Sequence, residues 1–253
     1  MIKKIYFFWY QGIKDAPIIV KKCLESWIYY NYDWEIIILD YLNYNLFCDL
    51  ENKIDLSKIS LNHFSDILRL SILNKYGGLW VDATCFCNCS LNTWLPLYLS
   101  NDFFMFDNLT QLGHMISSWF IYSEPNTYLI SIWYKNILET YNNEIEKFST
   151  TYFIQYQLFD ELYLKDDIFK NEWNKVPKIK NHNNNMIYFD LYKKGKLYIK
   201  NNGFLEPLTS NVKKIILGKE KFVFKLSYKC DYDEKYNDKT ILSFLFSTIK
   251  NNI

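Results

Sequence analysis

The chain has 253 residues, 49% hydrophobic and 19% aromatic, with only 7 glycines and 5 prolines; this supports one sizeable core and excludes a disordered, fibrous or low-complexity chain. Twenty-nine basic against 28 acidic side chains leave a formal charge of +1, without the basic excess that nonspecific duplex binding requires, so no nucleic-acid partner is expected. No apolar run approaches the roughly 18 residues that span a bilayer, and six cysteines without a C-x-x-C pair read as reduced thiols, so neither signal peptide nor membrane helix is predicted and a cytoplasmic location is expected.

Lys3 to Tyr10 is a run of strand formers, Ala16 to Tyr32 carries apolar residues at helical spacing behind Pro17, and Trp34 to Asp40 reads as a second strand. This beginning implies an α/β fold, a mostly parallel sheet covered by helices, with ligands at the carboxyl ends of the strands. Gln11, Gly12 and Asp40 fall at those ends. Asp40 suits a ribose or base, although an acid that ends a strand also serves as a turn former.

After a polar, irregular stretch from Asn43 to Ser57, a helix is predicted from about Ser60 to Tyr76, stopping at Gly77-Gly78, with a strand from Leu79 to Asp82. Leu61, Phe64, Leu68 and Ile72 form its predicted core stripe. Asn62, Ser65, Asp66 and Arg69 fall together at spacings of three and four. Arg69 is the sole arginine beside many lysines and 26 asparagines, and a planar guanidinium grips phosphate or carboxylate as lysine cannot. An intrahelical Asp66–Arg69 ion pair is the structural alternative.

Cys85, Cys87 and Cys89 alternate along an apparent strand and share one face, which superficially suggests a thiolate metal site; with no fourth ligand nearby, small buried hydrophobes are the preferred reading. Phe103 to Phe106 and Ile116 to Tyr122 read as strands, and Thr127 to Tyr141 and Thr151 to Leu164 as helices. Asn181 to Asn185 reads as a loop, Tyr188 to Lys200 as strand or hairpin, and Thr240 to Lys250 as a terminal helix that docks on the body in preference to a membrane surface.

The segments Phe8 to Gly12, Ala16-Pro17, Cys23 through Ser26, His63 to Arg69 and Gly77 to Thr84 together resemble the capsular polysaccharide synthesis glycosyltransferase family, related to the nucleotide-sugar transferases with an Asp-x-Asp sugar-binding region. Ser118 to Ile121, Tyr152-Phe153 and Lys225 to Lys229 fit its later blocks, so the resemblance covers nearly the whole chain. It implies a single GT-A domain over residues 1–253: a Rossmann-like nucleotide-sugar-binding half over 1–110 and an acceptor-side half with the C-terminal helix over 111–253.

The implied activity is transfer of a sugar from a nucleotide-sugar donor, a UDP-sugar in the first instance, to a lipid-linked or oligosaccharide acceptor in bacterial capsule or surface polysaccharide synthesis. Peripheral contact with the inner membrane face or a capsule assembly complex is compatible with such an acceptor. Asp66 would accept hydrogen bonds from sugar hydroxyls, with Ser65 beside it, Arg69 would neutralise the departing diphosphate, and Trp9 would stack on the base. Asp82, Gln11, Asp40 and Thr84 complete the implied donor set, and the absence of a paired nucleophile and acid points to retention.

The departure lies at Asp82-Ala83-Thr84, where Thr84 replaces the second acid of Asp-x-Asp. A hydroxyl is a poorer ligand for Mn²⁺ or Mg²⁺, so Asp82 holds the metal through water, recruits a distant carboxylate, or binds only ribose and sugar. Lys225 and Lys229 are candidates to close over the diphosphate and supply the missing charge. Two alternatives stay open: a transferase that glycosylates a protein, and a non-catalytic carbohydrate-binding or scaffolding relative.

Overall fold

The computed structural model describes residues 1–107, 114–179, 203–229, 232 and 239–249. Its elements in chain order are β1 (Lys4–Phe8), α1 (Ile18–Tyr30), β2 (Glu35–Leu39), α2 (Leu61–Tyr76), β3 (Gly78–Asp82), β4 (Cys85–Cys87), β5 (Phe103–Asp107), β6 (Ile116–Ser123), α3 (Tyr128–Asn143), α4 (Glu146–Thr150), α5 (Ile154–Lys165), α6 (Asp167–Lys175), α7 (Ser210–Leu217), β7 (Val223–Lys225) and α8 (Ile241–Ser247). Of these, α4, α6, α7 and β7 were not predicted. The expected loop at Asn181–Asn185 and hairpin at Tyr188–Lys200 lie outside the described residues.

The chain forms two compact units, each gathered from several stretches. The first takes Met1–Gly12, Trp34–Asp82 and Trp94–Ile179; the second takes Ile13–Asp33, Ala83–Thr93 and the described residues from 203 onward. Both draw on residues before and after position 110.

The first unit is built on a five-stranded sheet of order β2-β1-β3-β6-β5. Strand β1 pairs in parallel with β2 and β3, while β6 is antiparallel to β3 and to β5. It follows that β5 runs with β1, β2 and β3, and that four of the five strands end at one edge. Phe8 stands opposite both Leu39 and Asp82, so Trp9, Asp40 and Asp82 reach that edge together, as the strand-end rule for α/β sheets requires.

Helix α2 has packing partners on more than one side: β3, β6, α3 and α5. Phe64, Ile67, Leu68, Leu70, Ile72 and Leu73 are all buried, each worth about 1.5–3 kcal/mol relative to exposure. A single stripe was expected; a helix covered from several sides needs a wider apolar surface. Leu61 departs from the predicted core because it opens the helix and is 42% exposed.

The ends of α2 are set locally. Ser60 Oγ accepts from the His63 N–H at 3.2 Å and caps the start. Gly77 ends the helix at φ +65°, and a Cβ there would stand 2.7 Å from Pro125 Cδ, so only glycine lets the chain turn so tightly into β3.

In the second unit α1 lies along β4. Trp27 Nε1 donates to the Cys85 carbonyl at 2.7 Å, and the Cys87 N–H donates to Ser26 Oγ at 2.8 Å. Strand β4 pairs antiparallel with β7, placing Cys85 opposite Lys225. Helix α8 docks as expected, with Ile241, Leu242, Leu245 and Phe246 buried and the Phe246 ring 5.8 Å from that of Phe86. No helix among the described residues is long and apolar enough to cross a membrane.

The cysteine strand is shorter than predicted, since Cys89 lies beyond β4. Burial raises the Cys23 and Cys87 thiols well above their ordinary range and Cys89 to about 11, so the three are neutral hydrophobes at physiological pH.

Candidate functional site

Arg69 is the hub of the first unit's polar interior. It lies on α2, is 5% exposed, and spends its guanidinium on partners from four elements. Nη1 donates to the Ser118 carbonyl at 2.9 Å, to Ser118 Oγ at 2.6 Å and to Gln155 Oε1 at 3.3 Å. Nη2 donates to Asp82 Oδ1 at 3.1 Å and, weakly, to Ser65 Oγ at 3.4 Å. Asp66 Oδ1 lies 3.3 Å from Nη1, and the guanidinium carbon stands 5.4 Å from the centre of the Trp80 ring. The predicted intrahelical ion pair is therefore present as one part of a larger network.

Local structure explains the assembly. Ser65, Asp66 and Arg69 share a face of α2 because residues three and four apart do so. Asp82 ends β3, which follows α2 after the turn at Gly77, and its Oδ1 also accepts from Trp80 Nε1 at 3.3 Å. Ser118 lies on β6, the neighbour of β3, where Phe120 stands opposite Val81. Ser118 Oγ in turn donates to the Tyr156 hydroxyl at 3.1 Å.

Two carboxylates facing one guanidinium compete for it. Burial dominates at Asp66 and pushes its pKa up to about 7; Arg69 pulls it down and the Asp82 charge pushes it further up. Asp66 and Asp82 keep 14% and 27% of their side chains exposed against 6% for Arg69. The carboxylates, and not the guanidinium, are the accessible members of the cluster.

The remaining predicted residues divide. Trp9 is half-buried directly after β1, its N–H bonded to the Leu39 carbonyl at 3.0 Å. Gln11 is exposed in the turn that Gly12 closes onto the Trp9 carbonyl. Asp40 Oδ1 accepts from the Leu42 N–H at 2.9 Å, which is the turn-forming role. Its Oδ2 would lie 3.6 Å from a Cβ on Gly12.

Thr84 and Lys225 meet in the second unit. Lys225 Nζ donates to Thr84 Oγ1 at 2.9 Å, and the Leu226 N–H donates to the Thr84 carbonyl at 2.7 Å. Thr84 is 8% exposed and Lys225 half-buried. Lys229 is exposed and lies over the Tyr228 ring at 5.7 Å, so the structure gives Lys225 the company of Thr84 and leaves Lys229 at the surface.

This donor set does not fit a divalent metal of the Asp-x-Asp kind. A cation bound to Thr84 Oγ1 would stand about 4 Å from the Lys225 ammonium, a repulsion of about 8 kcal/mol at an effective dielectric near 20. Asp82 Oδ1 already accepts from Arg69 and Trp80. Among the described residues no group of three or more His, Cys, Asp or Glu is placed to hold a metal.

Sequence reasoning gave no role to Trp80, Gln155 or Tyr156, and placed Ser118 only within a motif block. Gln155 is wholly buried, and its Nε2 also donates to the Asp66 carbonyl at 3.3 Å. Asp107, 1% exposed at the end of β5, is a further acid at the strand-end edge. Burial draws the nearby Lys178 ammonium down to about 7, against the attraction of Asp107. His63 is 4% exposed beneath the Phe148 ring, with Nε2 3.4 Å from the Tyr152 carbonyl, and burial lowers its pKa; it is a structural histidine.

Known proteins agree with this architecture. A glycosyltransferase involved in the glycosylation of the major capsid of PBCV-1 superposes with a TM-score of 0.50 at 11% identity, over 94% of this chain and 97% of its own. The apo glycosyltransferase GlyE of Streptococcus pneumoniae TIGR4 gives 0.52 at 12% identity, over 100% of this chain and 61% of its own. At such identity the likeness carries the fold, a GT-A-like one in which a mostly parallel sheet is flanked by helices.

In sequence, the chain is 29% identical over 98 residues to O-glycosyltransferase braB of Annulohypoxylon truncatum, covering 33% of this chain and 23% of that relative. The match thus spans less than a quarter of the relative's length. The model of the capsular polysaccharide synthesis protein family matches residues 1–245, nearly the whole sequence, and the chain belongs to that family.

Proposed function

We propose that the protein is a retaining glycosyltransferase that moves a sugar from a nucleotide-sugar donor, a UDP-sugar in the first instance, to a glycan acceptor in capsule or surface polysaccharide synthesis. The observation that carries this reading is the Asp66–Arg69–Asp82 cluster at the strand-end edge of a glycosyltransferase fold. Ligands of open α/β sheets bind at that edge.

Asp66 and Asp82 are the groups that meet the donor, Asp66 accepting hydrogen bonds from sugar hydroxyls and Asp82 from sugar or ribose. Arg69, 5% exposed and engaged by Ser118, Gln155 and both acids, is a positioning residue. In this reading it holds the two carboxylates in place, where the resemblance implies a direct role on the diphosphate.

In the transfer the bond from the anomeric carbon to the phosphate oxygen breaks, and its electron pair goes to the diphosphate. The acceptor hydroxyl oxygen bonds to the anomeric carbon from the same face, and its proton passes to the departing diphosphate. No side-chain base is needed. The charge that grows on the diphosphate is what the protein must stabilise.

The test is thermal stabilisation by a panel of UDP-, GDP-, CDP- and dTDP-sugars, followed by NMR of the first product. A rise in melting temperature with one donor, together with a retained anomeric configuration, is expected. No response to any donor sinks the transferase reading, and an inverted anomeric centre sinks retention alone.

A further inference from the structure

We infer that His114, held by Asp160, seats the acceptor sugar, with a ring nitrogen on one of its hydroxyls and the neighbouring aromatic rings against its C–H face. This rests on the transferase reading above and adds to it where the acceptor binds.

The imidazole is fixed on one side and open on the other. His114 Nδ1 stands 2.8 Å from Asp160 Oδ2, and Asp160 Oδ1 accepts from the Met115 N–H at 3.2 Å. One carboxylate thus sets both the ring and the backbone beside it, and because an ionised carboxylate only accepts, Nδ1 is the donor. Nε2 has no hydrogen-bond partner among the described residues, and the side chain keeps 15% of its surface exposed.

The ring stands beside the cluster of the first unit, to which all these residues belong. Strand β6 is antiparallel to β3, so it begins at the edge where β1, β2 and β3 end, and His114 lies just before it. Tyr156 and Asp160 share a face of α5. The Tyr156 ring centre is 5.5 Å from that of His114, and its hydroxyl accepts from Ser118 Oγ, itself 2.6 Å from Arg69 Nη1. In the sheet, β6 and β1 flank β3 on opposite sides. His114 therefore lies across Asp82 from Trp9, which the resemblance assigns to the base, and this is the side left for an acceptor.

The chemistry selects a sugar. A hydroxyl both donates and accepts, so it pairs with an imidazole nitrogen in either protonation state. Asp160, in contact with the ring, disfavours an anionic ligand there. Phe153 stands 5.7 Å from the imidazole and 4.8 Å, edge-on, from Tyr152, which is 64% exposed. Aromatic faces around one placed polar atom are the usual lining of a small-ligand site. The proton route of the transfer is unchanged, since Nε2 holds a second hydroxyl while the attacking one gives its proton to the diphosphate.

The experiment saturates the full chain with whichever of UDP, GDP, CDP and dTDP binds, titrates in methyl and p-nitrophenyl hexopyranosides of both anomers, and reads the imidazole nitrogens by long-range proton–nitrogen NMR. The chain has 3 histidines, and His114→Phe, which keeps a ring in place, identifies the His114 signals by their loss. At least one glycoside is expected to shift His114 Nε2 more than Nδ1, and to release nucleoside diphosphate from the matching sugar nucleotide faster than water does. By calorimetry His114→Phe should weaken that glycoside about tenfold, the scale of one hydrogen bond, with the nucleotide Kd held within about twofold. Asp160→Asn, which loosens the ring but keeps its nitrogen, should fall between. A dyad that only ties β6 to α5 would lower the melting temperature of both variants and leave the Nε2 signal and the glycoside Kd unmoved, which overturns the inference. So does a nucleotide-bound protein whose His114 signals no glycoside shifts, or a glycoside bound at His114 that is not an acceptor; either leaves the transferase reading intact. Absence of binding by all four nucleotides removes that reading, and this inference falls with it.

Discussion

The two ends of Asp82-Ala83-Thr84 are each held by a cation, and the two cations are held very differently. Asp82, in the first unit, accepts from Arg69, a guanidinium 5% exposed and bonded to α2, β3, β6 and α5 side chains or backbone. Thr84, in the second unit, accepts from Lys225, a half-buried ammonium on a short strand. A buried charge persists only when it is paired and its hydrogen-bonding capacity met, whereas a half-buried one keeps access to solvent and ligand. The arginine is thus a fixture that shapes the first unit's site, and the lysine is the less deeply buried of the two cations.

The largest effect that could break this contrast is Arg69→Ala. It leaves Asp66 and Asp82 without their counter-charge and Gln155 and Ser118 without their donor, and is expected to cost about 3–5 kcal/mol of stability, read from urea unfolding. Arg69→Lys keeps the charge but not the fork, so it should fall between. An Arg69→Ala protein as stable as wild type would mean that the cluster is not structural and would return Arg69 to a direct role on the diphosphate.

Asp66 gives the next effect, and its sign is set by burial. A carboxyl whose folded pKa is raised to about 7 holds its proton longer folded than unfolded. The stability from this is therefore fully present below the ordinary carboxylate value near 3.9 and is lost as pH rises towards about 7, by at most ~1.4 kcal/mol per pH unit. Asp66→Asn should remove this slope, so the difference in unfolding free energy between wild type and variant should change between pH 4.5 and 7. A pH-independent difference would show that the Arg69 charge outweighs burial.

Ser118→Ala tests the support of the fixture rather than its charge. It removes the 2.6 Å bond to Nη1 and keeps the carbonyl bond from the same residue, so about 1.5–3 kcal/mol of stability should go, as for hydrogen bonds to charged groups. Turnover should fall with unchanged metal response, because the lesion lies on the arginine side. A change in metal response would couple the two ends of the motif.

How far the site was legible follows from distance along the chain. Ser65, Asp66 and Arg69 share a helix turn, and Asp82 follows a glycine stop and a short strand, so spacing alone brought them together. Ser118 and Gln155 stand 49 and 86 residues from Arg69; only the pairing of β6 with β3 and the packing of α5 on α2 bring them in. Lys225 was legible as a motif residue, yet its bond to Thr84 depends on pairing across 141 residues. Leu61 failed as a core residue for a different reason: periodicity gives a helix face but not where along its length the cover begins.

The smallest effect concerns how α2 is started. Ser60 Oγ accepts the His63 N–H at 3.2 Å, and the Phe64 N–H bonds the Ser60 carbonyl at 2.9 Å, so the first turn is closed by one side chain and one backbone group. Ser60→Ala should cost about 1 kcal/mol, measured as a lower unfolding midpoint at unchanged denaturant dependence. Arg69 lies more than two turns farther on, beyond the reach of fraying at the cap, so donor binding should stay at the wild-type value. If this mild lesion weakened donor binding as much as Ser118→Ala, the cluster would be set by the helix as a whole, and the bonds from β6 and α5 would be secondary to it.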